Sequence, residues 1–96
     1  MAIDEMLKAY RDEILRLAEQ HGARNVRVFG SVARGDAGPD SDVDLLIDLE
    51  EGRSLFDHAR LQVALERLLN RKVDVVSARG LKPRIRDRVL RDAVPL

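Results

Sequence analysis

Apolar side chains recur every three or four positions in the first twenty residues, which is the spacing of one helical face. They are Ile3, Leu7, Tyr10, Ile14 and Leu17. Acidic Asp4 and Glu5 suit the start of a helix, and Gly22 suits a left-handed stop just beyond its end. The pattern therefore predicts one amphipathic helix over residues 3–20.

The pattern then changes to short apolar runs separated by turn residues, which is typical of strands. Residues 25–29 and 72–76 each predict a strand. Residues 42–49 predict another, whose odd positions face one side and whose even positions face the other. Between the first two strands in the chain, residues 35–41 are rich in Gly, Asp and Pro and predict a loop.

Two further helices are predicted after the second strand. Ser54 and Asp57 resemble a capping box at the start of a helix over residues 54–69. Pro83 suits the first turn of a last helix, which contains Ile85, Val89 and Leu90. Helices that alternate with strands favour an α/β sandwich.

Length, charge and composition limit the number of domains, the partners and the compartment that we expect. Ninety-six residues predict a single domain over residues 1–96. The 17 basic and 17 acidic residues cancel, so no overall field recruits nucleic acid or an anionic membrane, and neither is expected as a direct partner. The chain has no cysteine, no apolar run long enough to span a bilayer and no secretory pattern in residues 1–5, so we expect a cytoplasmic protein.

Three aspartates are the candidates for a metal site. Asp42 and Asp44 are two apart in a strand, so both point to one face with about 6.6–6.8 Å between their α-carbons. Asp74 lies in the middle of the last apolar run, where a carboxylate is costly without a partner, and a neighbouring strand would bring it beside the pair. Oxygen ligands without nearby His or Cys favour Mg²⁺, or Mn²⁺, over zinc.

The turn that begins at Gly30-Ser31 is the candidate for binding phosphate. Glycine permits close approach of the backbone, and the helix start that follows offers free amide donors to phosphate oxygens. Arg34, one turn further along, is placed to pair with a triphosphate. Nucleotidyl transfer uses two divalent cations held by convergent carboxylates, so together these residues point to that chemistry.

Gly30-Ser31, ten residues and Asp42-x-Asp44 resemble the signature of the DNA polymerase β-type nucleotidyltransferase superfamily. The short length, the Phe-Gly-Ser-x-Ala-Arg-Gly context and the Arg-Asp-Ala-Val-Pro-Leu ending resemble its minimal nucleotidyltransferase (MNT) family. The resemblance covers essentially the whole chain. It implies a polymerase β-like fold with a small mixed sheet flanked by helices.

The resemblance also implies a function. MNT proteins are typically antitoxins encoded beside a helical HEPN ribonuclease toxin, and some transfer AMP from ATP to a tyrosine of that toxin. By resemblance, Gly30 and Ser31 bind the triphosphate, Asp42 and Asp44 bind two Mg²⁺ ions, and Asp74 supplies the third carboxylate. Arg34 is an addition to the nucleotide site. Val32 departs from the many relatives that carry arginine at this position.

Other interpretations of the same residues remain open. Asp40, Asp42, Asp44, Asp48 and Glu51 match positions of a calcium-binding loop, although Leu45 replaces its required glycine. Asp74 has a structural alternative, an ion pair with a residue such as Lys72, and Asp48 is interpreted as an exposed or capping acid. His21 suits a helix end and His58 shows no partner in the sequence, so neither is assigned a catalytic role.

Other functions also remain open. The chain could neutralise a toxin by binding and masking it without catalysis, forming a hetero-oligomer. It could instead transfer a nucleotide to a small molecule or an RNA end. The basic last helix is typical of a solvated face, but it would also suit an acidic partner surface or RNA bound by that partner.

Overall fold

The computed structural model describes residues 3–38 and 40–96. Met1, Ala2 and Pro39 lie outside the described residues, and Pro39 belongs to the loop predicted over residues 35–41. The helices are α1 (Ile3–Ala9), α2 (Arg11–Gln20), α3 (Gly30–Arg34), α4 (Leu55–Leu69) and α5 (Pro83–Asp92). The strands are β1 (Ala23–Phe29), β2 (Val43–Leu49), β3 (Val73–Ser77) and β4 (Val94–Pro95), and a 3₁₀ turn spans Ala78–Gly80.

The four strands form one mixed sheet in the order β3-β2-β1-β4. β2 and β3 are parallel, whereas β1 is antiparallel to both β2 and β4. Parallel neighbours need a crossover connection, and α4 supplies it. The α/β prediction, with a small mixed sheet flanked by helices, is confirmed.

The single helix predicted over residues 3–20 is wrong at one residue, because Tyr10 separates α1 from α2. Its φ of −101° and ψ of 8° depart from helical values. The backbone hydrogen bonds nevertheless continue, with Tyr10 N donating to Met6 O at 3.0 Å and Ile14 N donating to Tyr10 O at 2.9 Å. The apolar stripe is therefore continuous although the backbone geometry is not.

The main hydrophobic core lies on one face of the sheet, under α1, α2 and α4. Val43, Leu45 and Ile47, the odd positions of β2, are at most 1% exposed and belong to this core. Leu46 points to the other face and packs with Ala78 and Val89 in a smaller cluster. α5 therefore covers part of the face to which the even positions of β2 point.

The ends of the helices follow the sequence signals closely. Ser54 Oγ accepts a hydrogen bond from Phe56 N at 3.2 Å, and Asp57 Oδ2 accepts one from Ser54 N at 2.9 Å, which is the predicted capping box. Pro83 lies in the first turn of α5, as predicted. Across the described part of the chain, no helix combines the length and the apolar character needed to cross a membrane.

Strand ends differ from the prediction at several points. β1 begins two residues earlier than predicted, and its pairing with β2 is irregular between Arg24 and Arg27, where Asn25 has a φ of 53°. β2 and β3 each begin one residue later than predicted. β4 was not predicted; it places Val94 and Pro95 beside β1.

Candidate active site

The register between β2 and β3 places two of the predicted aspartates side by side. Asp44 of β2 is the pairing partner of Asp74 of β3. Because paired residues on parallel strands point to the same face, both carboxylates leave the sheet on one side. Asp42 lies just before β2, two residues from Asp44. The structure thus brings together the carboxylates that the sequence could only suggest were neighbours.

The three carboxylates differ in their exposure. Asp42 and Asp74 are exposed, whereas Asp44 is half-buried. The expectation that Asp74 would carry a burial cost in the middle of a strand is therefore wrong, because this face of β3 is open to solvent at that position. Only Asp44 carries such a cost.

The electrostatics of the site are concentrated on Asp44. Burial raises the pKa of the Asp44 carboxyl above its usual value, and the negative charges of Asp74 and then Asp42 raise it further. The positive charge of Arg34 acts in the opposite direction and lowers this pKa. The carboxylate therefore lies where a negative charge is costly unless a cation approaches.

Gly30 lies against Asp44 for a steric reason. Phe29, the last residue of β1, pairs with Asp44, so Gly30 follows directly beside that carboxylate. Gly30 has a φ of +72°, which L-residues with a side chain rarely adopt, and a Cβ atom at this position would overlap Oδ2 of Asp44. Only glycine leaves room for the backbone and the carboxylate together.

Ser31 is the second residue of α3 and is half-buried next to Gly30. Phe29, at the N-cap of α3, makes no side-chain capping hydrogen bond. The first amides of α3 therefore receive no cap from that residue, and they lie beside Asp44 because Gly30 does. Free amides at a helix start suit a phosphate, and the binding of phosphate by this turn stays a prediction.

Arg34 already forms ion pairs with two carboxylates, those of Asp36 and Asp92. Its Nε lies 3.2 Å from Asp36 Oδ2, and its Nη1 lies 3.8 Å from Asp92 Oδ2 on α5. The Arg34 side chain is half exposed, and exposed ion pairs of this kind are weak. Arg34 therefore lies near the site, where Asp36 and Asp92 hold its side chain only weakly.

The structural alternative for Asp74 is not seen. Lys72 Nζ lies 3.9 Å from Asp42 Oδ2 instead, and no cationic side chain within residues 3–38 and 40–96 forms an ion pair with Asp74. Arg71 lies close by and donates from Nη1 to Ser41 O at 3.2 Å. Lys72 and Arg71 therefore place positive charge beside Asp42, just before β3.

The carboxylates fit a divalent cation by charge rather than by finished ligand geometry. In the described parts of the chain, no three His, Cys, Asp or Glu side chains are arranged closely enough to hold a metal ion as they stand. Beyond the effect of burial, the negative charges of Asp74 and Asp42 still raise the pKa of Asp44, so negative charge is concentrated at this point. A hard cation with oxygen ligands, such as Mg²⁺, would offset that repulsion.

Other candidates from the sequence have structural explanations. Residues 43–49 form a strand, so the match to a calcium-binding loop is wrong. Asp48 accepts hydrogen bonds from Asn25 Nδ2 at 3.0 Å and from Arg27 Nη2 at 2.8 Å, and is thus more than an exposed or capping acid. His58 Nε2 hydrogen-bonds with Val75 O, a partner that the sequence did not reveal.

Comparison with known proteins gives a consistent result. The model of the nucleotidyltransferase domain family matches residues 7–96. The protein adenylyltransferase MntA of Thermococcus cleftensis is 45% identical over 92 residues, which cover 96% of this chain and 90% of that protein.

Two solved structures are also similar. One, described as a candidate minimal nucleotidyltransferase, is 62% identical with a TM-score of 0.87, and the match covers 96% of this chain and 94% of that one. The other is a toxin-antitoxin crystal structure with AMP-PNP, with a TM-score of 0.76 and 20% identity over 88% of this chain and 69% of that one. The second likeness concerns the fold alone.

Proposed function

Because this chain belongs to the nucleotidyltransferase domain family and is a minimal nucleotidyltransferase, we propose that it transfers AMP from ATP to a hydroxyl of a cognate HEPN ribonuclease toxin. The acceptor hydroxyl belongs to a tyrosine of the toxin, and the transfer neutralises the toxin. The observation that carries this proposal is the pairing of Asp44 with Asp74 directly beside the Gly30 turn. Support for the acceptor class comes from the relative named a protein adenylyltransferase.

The Gly30 turn has the role of holding the triphosphate. Gly30 lets the backbone approach the phosphates closely. Ser31 offers its hydroxyl, and the start of α3 offers its free backbone amides. Arg34, which makes only exposed ion pairs, can turn from Asp36 toward a phosphate oxygen at small cost. These residues place the α-phosphate next to the carboxylates.

Asp42, Asp44 and Asp74 are the residues that would hold Mg²⁺. When bound, the metal lowers the pKa of the attacking hydroxyl and neutralises charge on the pyrophosphate. Asp74, which is exposed to an incoming acceptor, or a neighbouring aspartate accepts the proton of the acceptor hydroxyl. The acceptor oxygen then bonds to the α-phosphorus as the bond to pyrophosphate breaks, so catalysis consists of positioning and charge compensation.

The test is incubation of the protein with α-labelled ATP, Mg²⁺ and the product of the neighbouring gene. We expect label on that partner with the wild type and a loss of at least about a hundredfold in the Asp42→Asn/Asp44→Asn variant. Asp12→Asn/Glu13→Gln is the matched control, because it also removes two negative charges and both residues are exposed on α2. Equal labelling by the double variant and the wild type would refute the proposed site.

Masking without catalysis is the second candidate function. Leu55 and Phe56, at the start of α4, are 83% and 75% exposed, and large exposed apolar side chains favour a protein contact. If the double variant forms a stable complex with the partner and neutralises its toxicity as fully as the wild type does, masking replaces AMP transfer. Label on a small molecule or an RNA end instead of the partner would identify a different acceptor.

A further inference from the structure

Positive charge is concentrated near the end of the chain although the whole chain is neutral. The segment from residue 79 to residue 92 contains six basic residues and only two acidic ones, whereas the whole chain has 17 of each. The basic residues are Arg79, Lys82, Arg84, Arg86, Arg88 and Arg91. The rest of the molecule therefore carries a net negative charge, and α5 is its basic surface.

α5 borders the candidate active site. Val89 packs on Leu46, which shares with Asp44 the face of β2 opposite the main core. The last turn of α5 is tied to α3 by Asp92, whose Oδ2 lies 3.8 Å from Arg34 Nη1. A protein bound along the side of α5 that carries Asp92, and with it Arg88 one turn earlier, would therefore lie next to the carboxylates.

The charges on α5 are only partly compensated within the helix, because its one acidic residue on the same face, Asp87, lies among several arginines. Over residues 3–38 and 40–96, the four arginines of α5 form no ion pair, and Asp92 is already engaged by Arg34. Arg84, Arg88 and Arg91 are exposed and follow the i, i+4, i+7 spacing, which places them along one strip of the helix. Their mutual repulsion would be relieved by an acidic surface.

Two exposed apolar side chains lie on the two opposite flanks of this strip. Ile85 is 50% exposed and Leu90 is 40% exposed, so α5 offers apolar contact as well as charge. The segment has no aromatic residue on which a base could stack, and the chain as a whole is not basic. These features favour a protein surface over RNA.

We infer that the strip Arg84, Arg88 and Arg91, with Ile85 and Leu90 beside it, docks an acidic helical segment of the acceptor protein next to Asp44. This inference rests on the proposed transfer to a protein hydroxyl, for which it names the recognised substrate class. The strip binds carboxylates through charge-assisted hydrogen bonds, and Ile85 or Leu90 on its flanks adds apolar contact to the bound segment.

Binding of two synthetic helical peptides, measured by fluorescence anisotropy without nucleotide, tests this inference separately from catalysis. Both peptides carry one tyrosine and apolar residues at helical spacing, and one has glutamates where the other has glutamines. We expect the acidic peptide to bind the wild type at least about tenfold more tightly than the neutral one and to weaken as salt rises. Arg84→Glu/Arg88→Glu/Arg91→Glu should abolish this preference.

A second triple variant controls for net charge. Arg16, Arg60 and Arg67 are exposed arginines outside α5, so Arg16→Glu/Arg60→Glu/Arg67→Glu makes the same charge change and should keep the preference. Circular dichroism confirms that each variant is folded. Equal loss in both triple variants would overturn the inference, as would tighter binding of a labelled RNA than of the acidic peptide through the α5 arginines. Peptide binding without AMP transfer would leave the docking strip standing and contradict the proposed function alone.

Discussion

At the scale of single residues, the site depends on a close contact between Gly30 and Asp44. The left-handed backbone of Gly30 and the half-buried carboxylate of Asp44 occupy adjacent space that admits no Cβ atom. The carboxylate in turn lies among other negative charges, which raise its pKa after the larger effect of burial. A site arranged to attract cations therefore costs the empty protein some stability.

Asp44→Asn should stabilise the protein in metal-free solution at neutral pH. Because the folded state raises the Asp44 pKa above its usual value of 3.8, folding favours the protonated carboxyl, and stability falls as pH rises through that range. Solvent access reduces the effect, so we expect a gain in Tm of about 1–4 °C near neutral pH. The gain should vanish below about pH 3, where the carboxyl is mostly protonated in both states.

Thermal melts of both proteins with a chelator, at several pH values, make this comparison. Asp12→Asn should show no such gain because Asp12 is exposed on α2, away from the other aspartates. A lower Tm for Asp44→Asn at neutral pH would show that the carboxylate makes stabilising contacts that outweigh its burial.

The sequence located the candidate site residues but not their partners. Glycine, serine and paired aspartates are visible because their spacing is local in the chain. Ion pairs depend on which elements become neighbours. The ion pairs of Arg34 with Asp92 and of Lys72 with Asp42 could therefore not be inferred from the sequence. The roles of these residues in catalysis stay predictions.

At the scale of elements, local signals predicted where most helices and strands lie. The capping box at Ser54 and the proline that opens α5 were confirmed because both act through contacts within one turn. β4 was missed because two residues, one of them Pro95, are too few to show alternation. The order of the strands was also beyond the sequence pattern, since it depends on the crossover through α4.

Ser54→Ala should destabilise the protein by about 1 kcal/mol, because it removes the acceptor for the Phe56 amide at the start of α4. This corresponds to a fall in Tm of about 4–8 °C for a domain of this size. Chemical denaturation of the wild type, Ser54→Ala and Ser54→Thr provides the measurement. The threonine variant should retain most of the stability because it keeps the hydroxyl, and equal losses in the two variants would contradict the capping explanation.

At the scale of the whole molecule, the buried hydrophobic clusters on the two faces of the sheet differ greatly in size. The larger cluster joins α1, α2 and α4 to the sheet through sixteen buried residues of the described chain, whereas the cluster under α5 contains three. Local opening is easiest where few buried contacts hold an element. We therefore expect the face with the candidate site to open more readily.

Val89→Ala and Leu65→Ala should separate local from global opening. Val89 holds α5 on the site face, so its truncation should cost about 1–2 kcal/mol and speed hydrogen exchange mainly within α5. Leu65 is 1% exposed in the larger cluster, so its truncation should cost about 2–5 kcal/mol and speed exchange throughout the molecule. Hydrogen exchange measured by mass spectrometry distinguishes the two patterns. If Val89→Ala instead sped exchange uniformly, α5 would open only when the whole domain unfolds, and the site face would be as firmly held as the core.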